Sequence, residues 1–473
     1  MNENLAALIP ELSLTGAAVI GLLAGSWLPR RRQWIIAALA AAACIAGLIA
    51  TAVIMATGRE QTVFSHTFAV DTATDAGRLI VLGALLLVIG MSVETVRGHK
   101  RETEYWVLLL LTGAGTLALI GANDLLMLFA AYLLASIPAY ALAGFAKDAQ
   151  GTEAALKYYL MGALLGTTML AGTGLLYGAG HATLYRDLRT ALPAAPYGLV
   201  AVGLVAVLGG LLFKAGAVPA HFWVPDVTEG APTPVAAYVT TLPKIGALIA
   251  GYRLLHQALP DSDVNWPLLL AILAAVTMTL GNLAAFFQTS VTRLLAYSTI
   301  SQVGYLLMAL AVATRTDLAQ KSLIFYLAAY AATNLGAFAV VTELPHARTI
   351  DDYRGLARRH PALAAVLLIC LLGLIGTPPT GVFLGKLEIF SAAIDGGYTW
   401  LAALAVANTV ASLFYYLRWL APLFTTTAPA PADTHTALGN WTAATAYIAA
   451  AISLALGIAG GIILPLTTGP LLP

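Results

Sequence analysis

KAGAVPAHFWVPDVTEGAPTPVAAYVTTLPK, residues 214–244, begins and ends on a lysine, and each lysine adjoins long apolar sequence. Upstream stands YGLVAVGLVAVLGGLLF (197–213) and downstream IGALIAG (245–251). A third lysine, Lys386, sits the same way in PPTGVFLGKLEIF (378–390). A lysine at bilayer depth costs roughly 2.5 kcal/mol or more and normally faces a protein interior or a wet cavity. Pro and Gly close to each lysine interrupt the apolar pattern, so the segments around 214–225 and 376–386 read as broken membrane helices.

The rest of the chain agrees with a membrane reading. Of its 473 residues, 59% are hydrophobic and only 10% charged. A soluble domain carries about 25% charged residues. A span needs about 20 apolar residues, and on that rule about fourteen spans are expected. They lie near 5–28, 33–56, 77–96, 105–122, 124–146, 157–178, 197–216, 231–256, 266–288, 293–314, 318–342, 362–377, 383–421 (a re-entrant half-helix with a full span) and 440–465. The start, MNENLAALIPELSLTG, lacks a basic region and a small-residue cleavage site, and reads as the first span.

Basic residues set the orientation. The odd-numbered loops hold fourteen Lys and Arg and the even-numbered loops seven, with Arg59, Arg78 and Arg253 counted among the seven. The odd loops are therefore expected to be cytoplasmic and both termini to lie outside. The stretch 343–361 is basic and fits a surface helix, and 425–439 is a Pro- and Thr-rich linker.

Several chemistries are excluded. Net charge is +1, which points to no nucleic acid. Cys44 and Cys370 lie in apolar segments without ligand spacing and read as packing residues. His221, Asp226 and Glu229 share a Pro-rich turn but lack a ligand pattern, so no metal is expected there. No phosphate loop and no cysteine set for an iron–sulfur cluster appear. Asp124 reads as a helix cap.

What remains is proton chemistry. Burial makes an amine release its proton more readily, and a nearby carboxylate makes it hold on. One proton crossing 100 mV is worth about 2.3 kcal/mol. Lys214, Lys244 and Lys386 are therefore the candidate translocation residues, although each could instead snorkel to an interface. Polar residues that could complete a water pathway are Tyr238 and Thr241, with Thr240, on the eighth span. The tenth span adds Ser298 and Ser301, with Tyr297, Gln302 and Tyr305. The eleventh adds Tyr330 and Asn334, with Thr333. Such hydroxyls and amides also serve as plain interhelical contacts. Paired broken segments in the two halves are a weak sign of an inverted-repeat transporter.

The 214–244 block resembles the signature of the antiporter-like subunits of respiratory complex I and of Mrp-type cation/proton antiporters. EAALKYYLMGAL (153–164), GNLAAFFQTSVTRLLAYSTISQVGYLL (281–307), NLGAFAVV (334–341), DDYRGLARRHP (351–361) and GTPPTGVFLGKLEIFSAA (376–393) look like subunit N of the bacterial NADH–quinone oxidoreductase. The resemblance covers about 70–420.

It implies an all-α polytopic fold with two inverted five-helix repeats and broken helices 7 and 12. It divides the chain into 1–104, a first repeat 105–256, a second repeat 266–421 and a closing 422–473. It implies proton translocation by a membrane-arm subunit in the bacterial cell membrane, with other membrane-arm subunits as partners. This chain would hold no cofactor, and NADH, FMN, iron–sulfur clusters and quinone would belong to the partners. The family carries a glutamate in the fifth span, and Leu133 stands at that position here, in AAYLLASIPAY (130–140). Glu388 is too near Lys386 in sequence to share its helix face. The competing readings are an Mrp antiporter or membrane-bound hydrogenase subunit, and a non-pumping scaffold.

Overall fold

The computed structural model describes residues 4–58, 60–425 and 439–472. Arg59 and residues 426–438 of the expected linker lie outside the described residues. The first half holds α1 (Ile9–Trp27), α2 (Trp34–Thr57), a hairpin of β1 (Gln61–Val63) and β2 (Phe68–Val70), α3 (Thr72–Val96), α4 (Glu102–Gly121) and α5 (Leu125–Ala143). Then follow α6 (Ala149–Gly180), α7 (Tyr185–Ala191), α8 (Tyr197–Ala215), α9 (Trp223–Gly230) and α10 (Thr233–Ala258). The second half holds α11 (Trp266–Ala285), α12 (Val291–Ala311), α13 (Leu318–Glu343), α14 (Leu356–Arg359), α15 (Pro361–Ile375), α16 (Gly381–Asp395), α17 (Thr399–Leu423), α18 (Asn440–Ile458) and α19 (Gly460–Ile463).

Thirteen helices among the described residues are long and apolar enough to cross a membrane. The shorter α15 and α16 together make a further, broken one, which agrees with about fourteen crossings. The chain is a multi-pass membrane protein. Two boundaries differ from expectation. The half-helix of 381–395 completes the crossing begun by 361–375, and the following span is α17 alone. The third span also begins five residues before its expected start, at Thr72. The hairpin was not expected from the sequence.

Side-chain caps start many of these helices. Asp71, Asp124, Asp148, Asn265 and Ser290 each accept a bond from a backbone amide of the first turn. Asp124 therefore is the cap the sequence suggested. The basic 343–361 stretch folds into a 3-10 turn at Ile350–Tyr353, closed by a Thr349–Asp352 capping box, and then α14.

Both described ends lie on one face. Asn4 bonds Gln61, Asn123 bonds Thr67, Leu125 bonds Thr183, and the Leu472 amide bonds Asp71. This terminal face also carries two buried ionic clusters. Arg78 bonds Glu11 and Asp75, and Arg253 bonds both oxygens of Asp71 at 2.7 and 2.8 Å. Arg78 and Arg253 are thus not loop residues. Each is fully buried, because a carboxylate waits for it at the helix end.

The two breaks end alike. Gly216 closes α8 at φ 78°, and its amide bonds the carbonyls of Leu212 and Phe213, with Ala217 also bonding Leu212. Gly376 closes α15 at φ 93°, and its amide bonds Leu372 and Gly373, with Thr377 also bonding Leu372. Left-handed backbone of this kind favours glycine. The interior between the breaks is α10, α12 and α13. Every residue of the most apolar window of α10 is buried.

Candidate functional site

The site is a row of polar side chains running sideways through the buried helices. It begins at Lys214, in the last turn of α8, one residue before its end, and fully buried. Its Nζ donates to the Ala135 carbonyl at 2.7 Å and to Ser136 Oγ at 2.9 Å. Pro138 lies inside α5 and lacks the amide that would bond one turn back, which loosens this helix locally. Thr112 of α4 donates to the same Ala135 carbonyl at 2.7 Å. Tyr238 of α10 donates to Thr112 Oγ1 at 3.1 Å.

Lys244 stands six residues further along α10, about 9 Å at 1.5 Å per residue. It is fully buried, and its Nζ has no hydrogen-bond partner among the described residues. The Gly216 turn closes one side of it, since a methyl group on Gly216 would stand 3.5 Å from Lys244 Nζ. The end of a helix carries partial negative charge, so the end of α8 faces this amine.

From α10 the row continues into α13 and α12. Asn334 donates to Thr241 Oγ1 at 2.8 Å, and Tyr330 donates to the Thr240 carbonyl at 3.0 Å. Tyr330 also pairs with Thr299 at 3.0 Å. One turn on, Gln302 donates to the Leu374 carbonyl at 2.8 Å and accepts from Tyr326. Ser298 pairs with Tyr416 of α17.

Lys386 ends the row. Its Nζ donates to Ile375 O at 2.7 Å and reaches Leu374 O at 3.4 Å, the two open carbonyls at the end of α15. Thr409 Oγ1 lies at 3.5 Å and the Tyr305 ring centroid at 4.4 Å. Lys244 and Lys386 therefore each face the glycine-closed end of a half-helix.

Open cavities adjoin the two ends of α10. One of about 530 Å³ on the face opposite the termini is lined by Pro232, Thr233, His99 and Arg348. The other, about 650 Å³ on the terminal face, is lined by Tyr252, His256, Asp317 and Asp395.

The expected residues divide as follows. Lys214, Lys244, Lys386, Tyr238, Thr241, Ser298, Ser301, Tyr330 and Asn334 are all buried. Tyr238 and Thr241 do not bond Lys244 but turn to Thr112 and Asn334. Ser301 Oγ is buried without a hydrogen-bond partner among the described residues. Leu133 is 36% exposed, off the buried stripe of Leu128, Ala131, Tyr132, Ala135 and Ala139. The groups that actually meet Lys214 are Ser136 and a backbone carbonyl, which sequence reasoning missed. The signal was a serine two residues before a proline within an apolar helix. Glu388 pairs with Lys321 at 3.7 Å and leaves Lys386 alone. Asp226 and Glu229 bond Arg293, and Asp226 also bonds Lys157.

A family model described as NADH:quinone oxidoreductase/Mrp antiporter, TM, matches residues 122–412. The chain belongs to this family. It is 58% identical over 466 residues to NADH-quinone oxidoreductase subunit N 1 of Streptomyces griseus, covering 98% of both chains. Among solved structures, a chain of respiratory complex I from Thermus thermophilus matches with a TM-score of 0.82. The two are 32% identical, over 98% of this chain and 100% of that one. A chain of the Mrp complex from Dietzia sp. matches with a TM-score of 0.85 at 22% identity, over 98% of this chain and 96% of that one, and shares the fold. These relatives place the chain with subunit N.

Proposed function

We propose that this chain moves protons across the membrane as a membrane-arm subunit of a complex I-like NADH–quinone oxidoreductase. One observation carries the reading: three buried lysines stand in a single polar row, and two of them face the open ends of broken helices. Half-helix ends facing ionisable groups are how transporters hold ions at mid-membrane. The 58% identity to a subunit N, against 22% to an Mrp chain, favours this assignment over an antiporter.

Lys214 is the lysine held by α5, Lys244 the connecting lysine and Lys386 the terminal one. A proton entering from one vestibule passes between these amines through hydroxyls and water, and leaves on the other face. Electron transfer, with NADH, FMN, iron–sulfur clusters and quinone, belongs to partner subunits. The chain sits in the bacterial cell membrane with the terminal face outside. Helices α4–α10 and α11–α17 form the two inverted repeats, and the matching terminations at Gly216 and Gly376 support that division.

The scaffold reading rested on Leu133. That residue does not face Lys214, whose ammonium is solvated by Ala135 O and Ser136 instead. In the assembled complex in vesicles, Lys244→Ala is expected to lower the proton-to-electron ratio while assembly survives. An unchanged ratio would overturn the reading.

A further inference from the structure

The seam between α12 and α13 carries two rungs. In one, Thr299 pairs with Tyr330, whose hydroxyl also reaches the Thr240 carbonyl beside Lys244. In the other, Tyr326 donates to Gln302 Oε1. Thr299 and Gln302 are three residues apart and Tyr326 and Tyr330 four, so each pair shares a helix face. The first rung leads to α10 and the second to α15.

Gln302 stands to Lys386 as Thr112 stands to Lys214. It donates to a carbonyl that also faces a lysine, since Leu374 O receives Gln302 Nε2 at 2.8 Å and lies 3.4 Å from Lys386 Nζ. The last carbonyls of a helix lack intrahelical partners. At α15 those of Leu374 and Ile375 are shared out, Leu374 chiefly to Gln302 and Ile375 to Lys386 at 2.7 Å. An amide can donate to a carbonyl from its nitrogen and accept from a phenol at its oxygen at once. Gln302 is 1% exposed, so leaving either of its ends unpaired would be costly.

We propose that Gln302 is a positioning residue for the Lys386 proton site. Its amide holds the open end of α15 in the orientation that receives the Lys386 ammonium, and it ties that end through Tyr326 to the seam leading to Lys244. Gln302 carries no proton itself. It fixes which carbonyl the ammonium meets, so a change at Lys386 is felt at Tyr326, and a change in the seam is felt at Lys386. This inference rests on the translocation reading above.

The test uses the assembled complex in vesicles and compares proton-to-electron ratio with NADH:quinone turnover. Gln302→Met keeps the volume and removes both bonds. Its ratio is expected to fall at least twofold while turnover per assembled complex stays within about twofold. Gln302→His, which retains a donor and an acceptor, is expected to recover much of the loss. Tyr326→Phe should lower the ratio less than Gln302→Met, and the double variant should be no worse than Gln302→Met alone, because both changes break one chain of contacts. A merely structural role would lower assembly and turnover together and leave the ratio intact, and that result overturns the proposal. If Gln302→Met does not assemble, Tyr326→Phe decides, and an unchanged ratio there overturns the proposal equally. Lys244→Ala, run alongside, separates the two claims. If it lowers the ratio and Gln302→Met does not, translocation stands and the role of Gln302 falls. If neither lowers it, the translocation reading itself has failed.

Discussion

Lys214 Nζ lies 2.7 Å from the carbonyl oxygen of Ala135. Ser136 Oγ adds a second acceptor at 2.9 Å, while Leu133 stands at the exposed edge of the same helix. A neutral pair of acceptors solvates an ammonium without fixing a full counter-charge. A hydrogen bond to a charged group is worth about 1.5–3 kcal/mol. Ser136→Ala should therefore lower proton pumping by roughly tenfold to a hundredfold, and Leu133→Ala by less than about twofold. Pumping rates of the two variants in vesicles check this. A larger loss for Leu133→Ala would show that the edge of α5, and not its buried stripe, governs Lys214.

The amine of Lys244 is buried with no hydrogen-bond partner among the described residues, so no such bond offsets the cost of its burial. Lys244→Met should leave the melting temperature of the purified protein unchanged or raise it. A drop of more than about 4 °C, roughly 1 kcal/mol or more on general scaling, would show that the amine is a structural tie.

Gly216 and Gly376 should not tolerate a side chain. A Cβ at Gly216 would meet Val224 at 2.9 Å, and one at Gly376 would meet Lys386 Cδ at 2.9 Å, both on left-handed backbone. Gly209 in α8 meets only Leu165, at 3.9 Å. Left-handed backbone alone costs an L-residue about 1–2 kcal/mol. Gly216→Ala and Gly376→Ala are expected to lose stability of that order and most pumping, and Gly209→Ala neither. Thermal melts with pumping assays on the three variants decide the matter.

Asp71 ties α3 to α10 through Arg253 at the terminal face. Burial pushes its carboxyl up, but the charge and hydrogen bonds of Arg253, with the amides of Leu472 and Thr74, outweigh it and hold the group below its ordinary value. A carboxyl lowered in the folded state contributes stability above its unfolded value near 3.9. That contribution is lost as pH falls through the folded value. The pair is thus intact at neutral pH and fails only below about pH 4. Asp71→Asn should cost about 3–5 kcal/mol at pH 7, as for any broken buried pair. The gap to the wild type should narrow in strong acid. Melts across pH 3–7 test the sign, and a gap that widens in acid would refute it.

Much of the fold was legible because a bilayer leaves the backbone few options. Lipid cannot bond open amides and carbonyls, so each apolar run of span length must be a helix. The fourteen crossings, both breaks and the three buried lysines followed from hydropathy and from Pro and Gly spacing. Arg78 and Arg253 fell within the expected spans 77–96 and 231–256 yet were tallied with the loops, because only packing reveals the carboxylates from other elements beside them.

The sequence by itself determined that amines lie buried where helices break, since residue type and the period of the chain are local properties. Tertiary structure decided what each amine touches. Lys214 meets α5, 79 positions away, and Lys386 meets the end of α15. Lys244 Nζ, beside the Gly216 turn, has no hydrogen-bond partner among the described residues. Partners of that kind depend on how helices cross and rotate against each other, and packing forces, not chain order, set that angle.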